Sequence, residues 1–222
     1  MKNLIPLLAA LALAGAACNN APTPVQEPGK SAPVAVQPGA AAAVVGAAAP
    51  DFTLTDYDGK TVHLADLKGK TVVLEWFNAD CPYVKASHLK GSLRDAAKRH
   101  KAAGVVWLGI NSAAPGKQGN TPGSVAAGKQ AFGLDHAILA DATGQVGRLY
   151  GATSTPNMYV IDPKGILVYR GAIDNSPDGE GESPEGGKLI NYVDAALGEL
   201  AAGKSVTTKE TKAYGCGVKY GS

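Results

Sequence analysis

The chain has 222 residues, of which 45% are hydrophobic and 18% charged, with a formal net charge of +2. This balance gives no electrostatic reason to expect nucleic acid or an anionic membrane face as a partner. Length and apolar content suffice for one domain with a packed core and appended tails. Three cysteines, Cys18, Cys81 and Cys216, are the residues with the most distinctive chemistry.

The first 17 residues have the pattern of a secretory signal peptide. One lysine precedes an apolar run over residues 4–17, which is shorter than the roughly 20 residues that a membrane-spanning helix needs. Small residues directly before Cys18 resemble a bacterial lipobox, which implies that Cys18 is the lipidated first residue of the mature protein. Ordinary cleavage, with Cys18 incidental, is the alternative. We therefore expect an exported protein of the periplasm or cell envelope, attached to the membrane by lipid only.

Composition divides the remaining chain into three parts. Residues 18–49 are rich in alanine, proline and glycine and nearly free of aromatic side chains, which is typical of a flexible linker. Residues 50–203 have the sequence pattern of a folded domain. Residues 204–222 form a tail that carries Cys216.

The domain alternates predicted strands and helices. It opens with two short strands around a Tyr-Asp-Gly turn, followed by a brief helical turn. Further strands are predicted at 71–78, 105–111, 137–140, 158–162 and 165–171. Helices are predicted from Pro82, with Cys81 as N-cap, to near Gly104, at 124–132 and 144–151, and at the end of the domain through Leu189, Val193, Ala196, Leu197 and Leu200. This order predicts an α/β fold with a mixed central sheet flanked by helices.

Two motifs on these elements resemble the thioredoxin-fold redoxins, in particular the AhpC/TSA and TlpA-like families. VVLEWFNADCPY (72–83) matches the strand that leads into a redox cysteine and its helix, and STPNMYVIDPKGILVYRG (154–171) matches the block that begins with a cis-proline. The resemblance implies a thioredoxin-like fold in which Pro156 faces Cys81. It also implies a buried acid beneath the redox site at Glu75, six residues before Cys81.

The sequence departs from both families at positions that carry chemistry. Val84 replaces the second cysteine of a C-x-x-C motif, and Asn78 stands where peroxiredoxins carry threonine or serine. Arg148 and Arg170 are candidates only by position for the arginine that assists peroxide chemistry. The sequence therefore resembles a redoxin that lacks the full set of residues with which peroxiredoxins activate peroxide.

Cys81 is the candidate nucleophile. Thiolate is the attacking form, and a helix N-terminus favours it through free N–H groups and the helix dipole. Pro82 and the Thr155–Pro156 pair are expected to border the substrate, with the backbone before a cis Pro156 free to pair with a substrate chain. The alternatives are an inert buried Cys81 and an ordinary trans-proline.

Glu75 lies in an otherwise apolar strand, where a carboxylate is costly unless it is paired or protonated. It is predicted either to transfer a proton during thiol exchange or to be satisfied by a lysine at the end of the sheet.

Cys216 is predicted to resolve the disulfide that Cys81 forms. Gly215 and Gly217 flank it and allow a close approach to another sulfur, while Tyr214, Val218 and Tyr220 can dock the tail. A purely structural disulfide with Cys81 is the alternative.

These residues predict a thiol–disulfide oxidoreductase whose partners are protein or small-molecule thiols and disulfides, together with an unidentified reductant. No cofactor or metal is predicted. His88, on the helix of Cys81, is the one histidine that could join the cysteines in a metal site, and is otherwise a surface or satisfied side chain. Two alternatives stay open: a thiol-dependent peroxidase, and a non-enzymatic metal-binding or scaffold domain with a structural disulfide.

Overall fold

An eight-stranded mixed sheet forms the centre of the computed structural model, which describes residues 35–36 and 39–222. The strands of the sheet are β1 (Ala35–Val36), β2 (Phe52–Asp56), β3 (Thr61–His63), β4 (Val72–Trp76), β5 (Val106–Asn111), β6 (Ala137–Ala140), β8 (Met158–Ile161) and β9 (Leu167–Gly171). Two further short strands, β7 (Ser154–Thr155) and β10 (Cys216–Gly217), pair with each other. The helices are α1 (Pro82–Leu89), α2 (Ala96–Lys101), α3 (Pro122–Ala131), α4 (Gln145–Tyr150) and α5 (Tyr192–Ala201), and a 3-10 turn covers Leu64–Leu67.

The strand order in the sheet is β1-β2-β6-β5-β4-β8-β9, with β3 beside β2. Strands β4, β5 and β6 are parallel, whereas β8 and β9 continue the sheet antiparallel beyond β4. All residues of β4 are buried, because its side chains alternate between two apolar clusters on opposite faces of the sheet. Leu74 and Trp76 belong to one cluster, and Val73 belongs to the other. The predicted mixed sheet flanked by helices is confirmed.

The predicted helix from Pro82 to Gly104 is wrong in its middle, since a turn at residues 90–95 separates α1 from α2. Gly91 lies so close to the loop after β9 that a Cβ atom there would come within 2.1 Å of the carbonyl oxygen of Gly179. Asp95 has a left-handed backbone conformation, with φ of 54°. The left-handed backbone of Asp95 interrupts a regular helix, and the close approach at Gly91 is to a segment distant in sequence.

The last helix begins later than predicted. The side chain of Asn191 accepts a hydrogen bond from the backbone N–H of Asp194 and caps α5 at its N-terminus. Leu189 precedes the helix and is 42% exposed, so it does not contribute to the helix's apolar face. Val193 and Leu197 do so as predicted, because both are buried against the sheet.

Part of the segment predicted as a flexible linker, residues 18–49, packs on the domain. The side chain of Ala43 is buried in the core, and its backbone N–H donates to the carbonyl oxygen of Leu149 at 2.9 Å. The N–H of Gly46 donates to Leu167 in the same way. The folded domain therefore begins before residue 50, where composition predicts its start, because backbone hydrogen bonds and one small side chain hold this segment.

The predicted signal peptide, Cys18 and the first part of the linker lie outside the described residues. Within residues 35–36 and 39–222, no helix combines the length and hydropathy that crossing a bilayer requires.

Candidate active site

Cys81 lies where the chain leaves β4 and enters α1. Its backbone adopts an extended conformation as the N-cap, and Pro82 occupies the first turn of the helix, as predicted. The N–H of Cys81 donates to the carbonyl oxygen of Asn78 at 3.0 Å. The side-chain amide of Asn78 donates in turn to the carbonyl oxygen of Gln118. Asn78 therefore holds the loop that presents the thiol, and Cys81 itself is only 1% exposed.

The Thr155–Pro156 corner faces this thiol. The peptide bond between the two residues is cis, as the resemblance implies. The protonated Cys81 thiol donates to the carbonyl oxygen of Thr155 over 3.1 Å. Thr155 is itself buried in the two-residue strand β7.

Cys216 reaches the same corner from the other end of the chain. In the antiparallel pair of β10 and β7, Cys216 lies opposite Thr155 and Gly217 lies opposite Ser154. Both cysteines are free thiols, and Cys216 packs against the apolar cluster that contains Cys81. Two cysteines 135 positions apart (216 − 81) thus flank one residue, Thr155.

The surroundings of the two thiols shift their pKa values in opposite directions. Burial opposes ionisation of Cys81, but hydrogen bonds from the Cys216 thiol, the Thr155 side chain and the N–H of Val84 outweigh it and lower the pKa of Cys81 below its ordinary value. For Cys216, burial and then the neighbouring Cys81 sulfur raise the pKa to about 11. Of the two thiols, Cys81 therefore loses its proton more readily, and Cys216 holds its proton more tightly.

Glu75 belongs to a separate buried polar group. Its carboxylate is fully buried and accepts hydrogen bonds from His88 Nε2 at 2.8 Å and from Trp107 Nε1 at 3.0 Å. Burial opposes its ionisation, yet His88 and Trp107 together lower the pKa of Glu75. The alternative in which a lysine satisfies Glu75 is wrong, and no hydrogen bond joins Glu75 to either cysteine among the described residues.

His88 is the residue whose role was missed in the sequence. It projects from α1 and is 5% exposed, and its ring stacks on Phe132 with the ring planes 3° apart. A histidine on the inner face of the helix that follows a strand with a buried acid is a pattern that could have predicted this hydrogen-bonded pair. The sequence alone leaves His88 either as a surface or satisfied side chain or as a candidate metal ligand. No group of three or more His, Cys, Asp or Glu side chains in the described part of the chain has a metal-binding arrangement.

The tail that carries Cys216 is anchored on both sides of the cysteine. On one side, the Tyr214 hydroxyl donates to Asp174 Oδ1 at 2.7 Å. On the other side, the Tyr220 hydroxyl donates to the carbonyl oxygen of Ala152 at 2.8 Å. These contacts hold Cys216 against the apolar cluster that contains Cys81.

The two candidate arginines contact other parts of the molecule. The guanidinium of Arg148 lies 4.6 Å from the centre of the Tyr220 ring. Arg170 donates to the carbonyl oxygen of Ala43 and forms an ion pair with Glu210. Among the described residues, neither arginine hydrogen-bonds to Cys81.

Two curated proteins that are redox proteins by name are similar in sequence to part of this chain. Among curated proteins, chloroplastic peroxiredoxin Q from Triticum aestivum is 32% identical over 131 residues, which are 56% of this chain and 57% of that protein. The thiol-disulfide oxidoreductase ResA from Bacillus subtilis (strain 168) is 28% identical over 123 residues, 55% of this chain and 64% of that protein. The chain thus spans less than two thirds of the length of either relative.

Solved structures resemble a larger part of the chain. An uncharacterized conserved protein from Geobacillus kaustophilus has a TM-score of 0.69 and 28% identity over 86% of this chain and 98% of its own. A hypothetical protein from Sinorhizobium meliloti 1021 has a TM-score of 0.68 and 27% identity over 82% of this chain and 98% of its own. The thioredoxin-like α/β fold is confirmed. The family model described as the AhpC/TSA family matches residues 45–170, and the chain therefore belongs to the AhpC/TSA family.

Proposed function

We propose that this protein is a thiol–disulfide oxidoreductase in which Cys81 is the nucleophile and Cys216 resolves the disulfide that it forms. The observation that carries this proposal is that both cysteines meet Thr155: the Cys81 sulfur lies 3.1 Å from its carbonyl oxygen, and Cys216 lies opposite it in the strand pair. The lowered pKa of Cys81 and the raised pKa of Cys216 support this order of attack.

The reaction has two exchange steps. The Cys81 thiolate attacks one sulfur of a substrate disulfide, which forms a mixed disulfide and releases the other sulfur as a thiolate. Cys216 then gives up its proton to the leaving substrate sulfur and attacks the Cys81 sulfur. The substrate is reduced by two electrons, and a Cys81–Cys216 disulfide remains. A dithiol reductant returns the pair to thiols, and the same steps run in reverse oxidise a substrate dithiol.

Two serine variants test the roles of the thiols. Cys81→Ser should abolish reduction of a model protein disulfide while leaving the circular dichroism spectrum unchanged. Cys216→Ser should accumulate a mixed disulfide at Cys81, visible as the added mass of the substrate. Full activity of Cys81→Ser would refute the assignment. If the Cys81–Cys216 disulfide has a reduction potential below roughly −300 mV, it is a structural bond and does not take part in exchange.

Peroxide reduction is the second candidate function. It is favoured by membership of the AhpC/TSA family and by the similarity to a protein named peroxiredoxin Q. The Cys81 thiolate would attack the peroxide O–O bond and become a sulfenic acid, releasing water or an alcohol. The Cys216 thiol would then condense with the sulfenic acid and release water. The engagement of Arg148 and Arg170 elsewhere favours disulfide exchange. Consumption of hydrogen peroxide by the reduced wild type, with trapping of the sulfenic acid in Cys216→Ser, distinguishes this reaction.

We also propose that the protein is exported and anchored through lipid on Cys18, on the basis of the apolar leader and the small residues before this cysteine. One acyl chain anchors only marginally, so several chains are implied. Wild-type protein should fractionate with membranes, and Cys18→Ser should release the domain. A soluble wild type with an unmodified N-terminus would contradict this proposal.

A further inference from the structure

The last eleven residues of the chain, 212–222, which we call the C-terminal strap, occupy the backbone edge at Thr155. Strand β10 of the strap pairs antiparallel with β7, with Cys216 opposite Thr155. The N–H of Val218 extends the pairing by donating to the carbonyl oxygen of Thr153 at 3.2 Å. A polypeptide substrate that pairs with the backbone before Pro156 therefore meets an edge that the chain itself already fills.

The strap fits this edge through one glycine. Gly215 has φ of +124°, and a Cβ atom on it would lie 2.2 Å from the carbonyl oxygen of Thr155 and 3.2 Å from Cδ of Pro156. Only a residue without a Cβ atom can approach the corner this closely. Gly217, on the other side of the cysteine, has no atom within 4 Å of its Cβ position. The two glycines that look equivalent in the sequence are therefore different in the structure.

A notch at the start of α4 receives the far end of the strap. Cβ atoms added at Gly144 and Gly147 would come within 2.6 and 2.4 Å of the side chain of Tyr220, so that both glycines leave room for it. Arg148 covers the face of the same ring, and the hydroxyl is bonded to Ala152. Tyr220 is thus an anchor that, among the described residues, hydrogen-bonds to Ala152 and to neither cysteine.

We propose that the C-terminal strap is a self-inhibitory cover of the Cys81 site, which a protein-sized substrate must displace from Thr155 before exchange begins. This inference rests on the proposed function, because it assigns regulation to the same thiol. Cys81 is 1% exposed beneath the docked strap, so the docked state excludes a large partner. In the mixed disulfide, the returning strap competes with the substrate chain for the edge at Thr155 and brings Cys216 to the Cys81 sulfur as the substrate chain leaves. The strap that blocks entry of the substrate therefore also promotes its release.

The rate at which iodoacetamide alkylates Cys81 in the reduced full-length protein tests the cover. This rate depends on the fraction of molecules in which the strap is open, and it requires no turnover. It is followed by the mass of the peptide that contains Cys81. Undocking also removes Cys216, which lowers the pKa of Cys81. The rates are therefore compared at high pH, where Cys81 is fully ionised in every variant and the alkylation rate no longer changes with pH.

Gly215→Ala should raise the plateau rate by about tenfold or more, because its new methyl group expels the strap and increases the open population. Tyr220→Ala should also raise the plateau rate, because it removes an anchor of the strap. Gly217→Ala is the matched control and should keep the wild-type rate, since its methyl group meets no neighbour. In turnover with a protein disulfide, Gly215→Ala should also accumulate the mixed disulfide that docking resolves.

An unchanged alkylation rate in both Gly215→Ala and Tyr220→Ala would overturn the cover while leaving the proposed function intact. An equal increase in Gly217→Ala would overturn the role of the close contact at Thr155. The proposed function fails separately, if Cys216→Ser accumulates no mixed disulfide although the alkylation rates follow the expected order.

Discussion

His136 should make the protein less stable as the pH falls from 7.5 to 5.0. Both ring nitrogens are buried without a hydrogen-bond partner in the described part of the chain, beside a cavity of about 10 Å³ lined in part by His88 and Trp107. Burial lowers the pKa of His136 to about 4, although the carboxylates of Glu75 and Asp135 act in the opposite direction. The folded protein therefore holds the neutral ring over a pH range in which the unfolded chain binds a proton.

The sign and size of the effect follow from these two pKa values. A folded pKa of about 4, below the unfolded value of 6.5, gives stability that is present above pH 6.5 and is lost as the pH falls towards 4. At pH 5.0 the unfolded ring is almost fully protonated and the folded ring is about one tenth protonated. The free energy of unfolding then decreases by about 2 kcal/mol relative to pH 7.5.

Urea unfolding at both pH values measures this loss, with fluorescence of the buried Trp76 and Trp107 as the signal. His136→Phe keeps an aromatic ring but cannot titrate, so its loss between pH 7.5 and 5.0 should be smaller than that of the wild type by about 2 kcal/mol. His63→Gln is the control at a partly exposed histidine whose pKa is raised, first by its hydrogen bond to Asp51. It should not reduce the loss. Parallel pH dependences of wild type and His136→Phe would refute the reasoning.

Four further substitutions probe the buried acid and the packing of two glycines. Glu75→Gln should slow thiol exchange by about 10²-fold without abolishing it, if the carboxylate transfers a proton; an unchanged rate in a stopped-flow assay would limit Glu75 to a structural role. His88→Ala should lower the free energy of unfolding by about 1–3 kcal/mol, because it leaves the buried Glu75 carboxylate without one of its two hydrogen-bond donors; the loss should largely disappear in the double variant with Glu75→Gln. Gly91→Ala should cost about 1–3 kcal/mol through the clash with the backbone of Gly179, as measured by urea unfolding. Gly198 lies inside α5 with no atom within 4 Å of its Cβ position, so Gly198→Ala should instead raise the free energy of unfolding by about 0.5–1 kcal/mol. A Gly91→Ala protein that is more stable than Gly198→Ala would contradict the packing at these two glycines.

Patterns local in the chain predicted much of the fold. The continuous apolar run at 71–78 predicts a strand buried on both faces, and the structure has β4 there. Pro82 marks the start of a helix, because its missing N–H costs nothing in the first turn. Since Pro82 is the first residue of the helix, Cys81 directly before it is predicted to be the N-cap, and the structure has it there. In each case the residues that determine the structure lie within one turn or one strand of each other.

Contacts between distant segments decided the remaining features. The turn between α1 and α2 contains Gly91, which packs against the backbone of Gly179, and no local pattern of residues encodes that approach. The partner of Glu75 is His88 rather than a lysine, because the packing of α1 on the sheet selects which side chain reaches the carboxylate.

The sequence by itself determined which residues can carry the chemistry: a cysteine at a helix N-terminus, a proline that opens the last hairpin, and a second cysteine between glycines. Only the tertiary structure decided where the second cysteine lies. The position of Cys216 depends on strand pairing with Thr155, on a glycine with positive φ, and on a notch for Tyr220 formed by residues about 70 positions away. Backbone pairing and shape complementarity of this kind arise between segments that meet only after folding, and for that reason the tail's docked position could not be deduced from its composition.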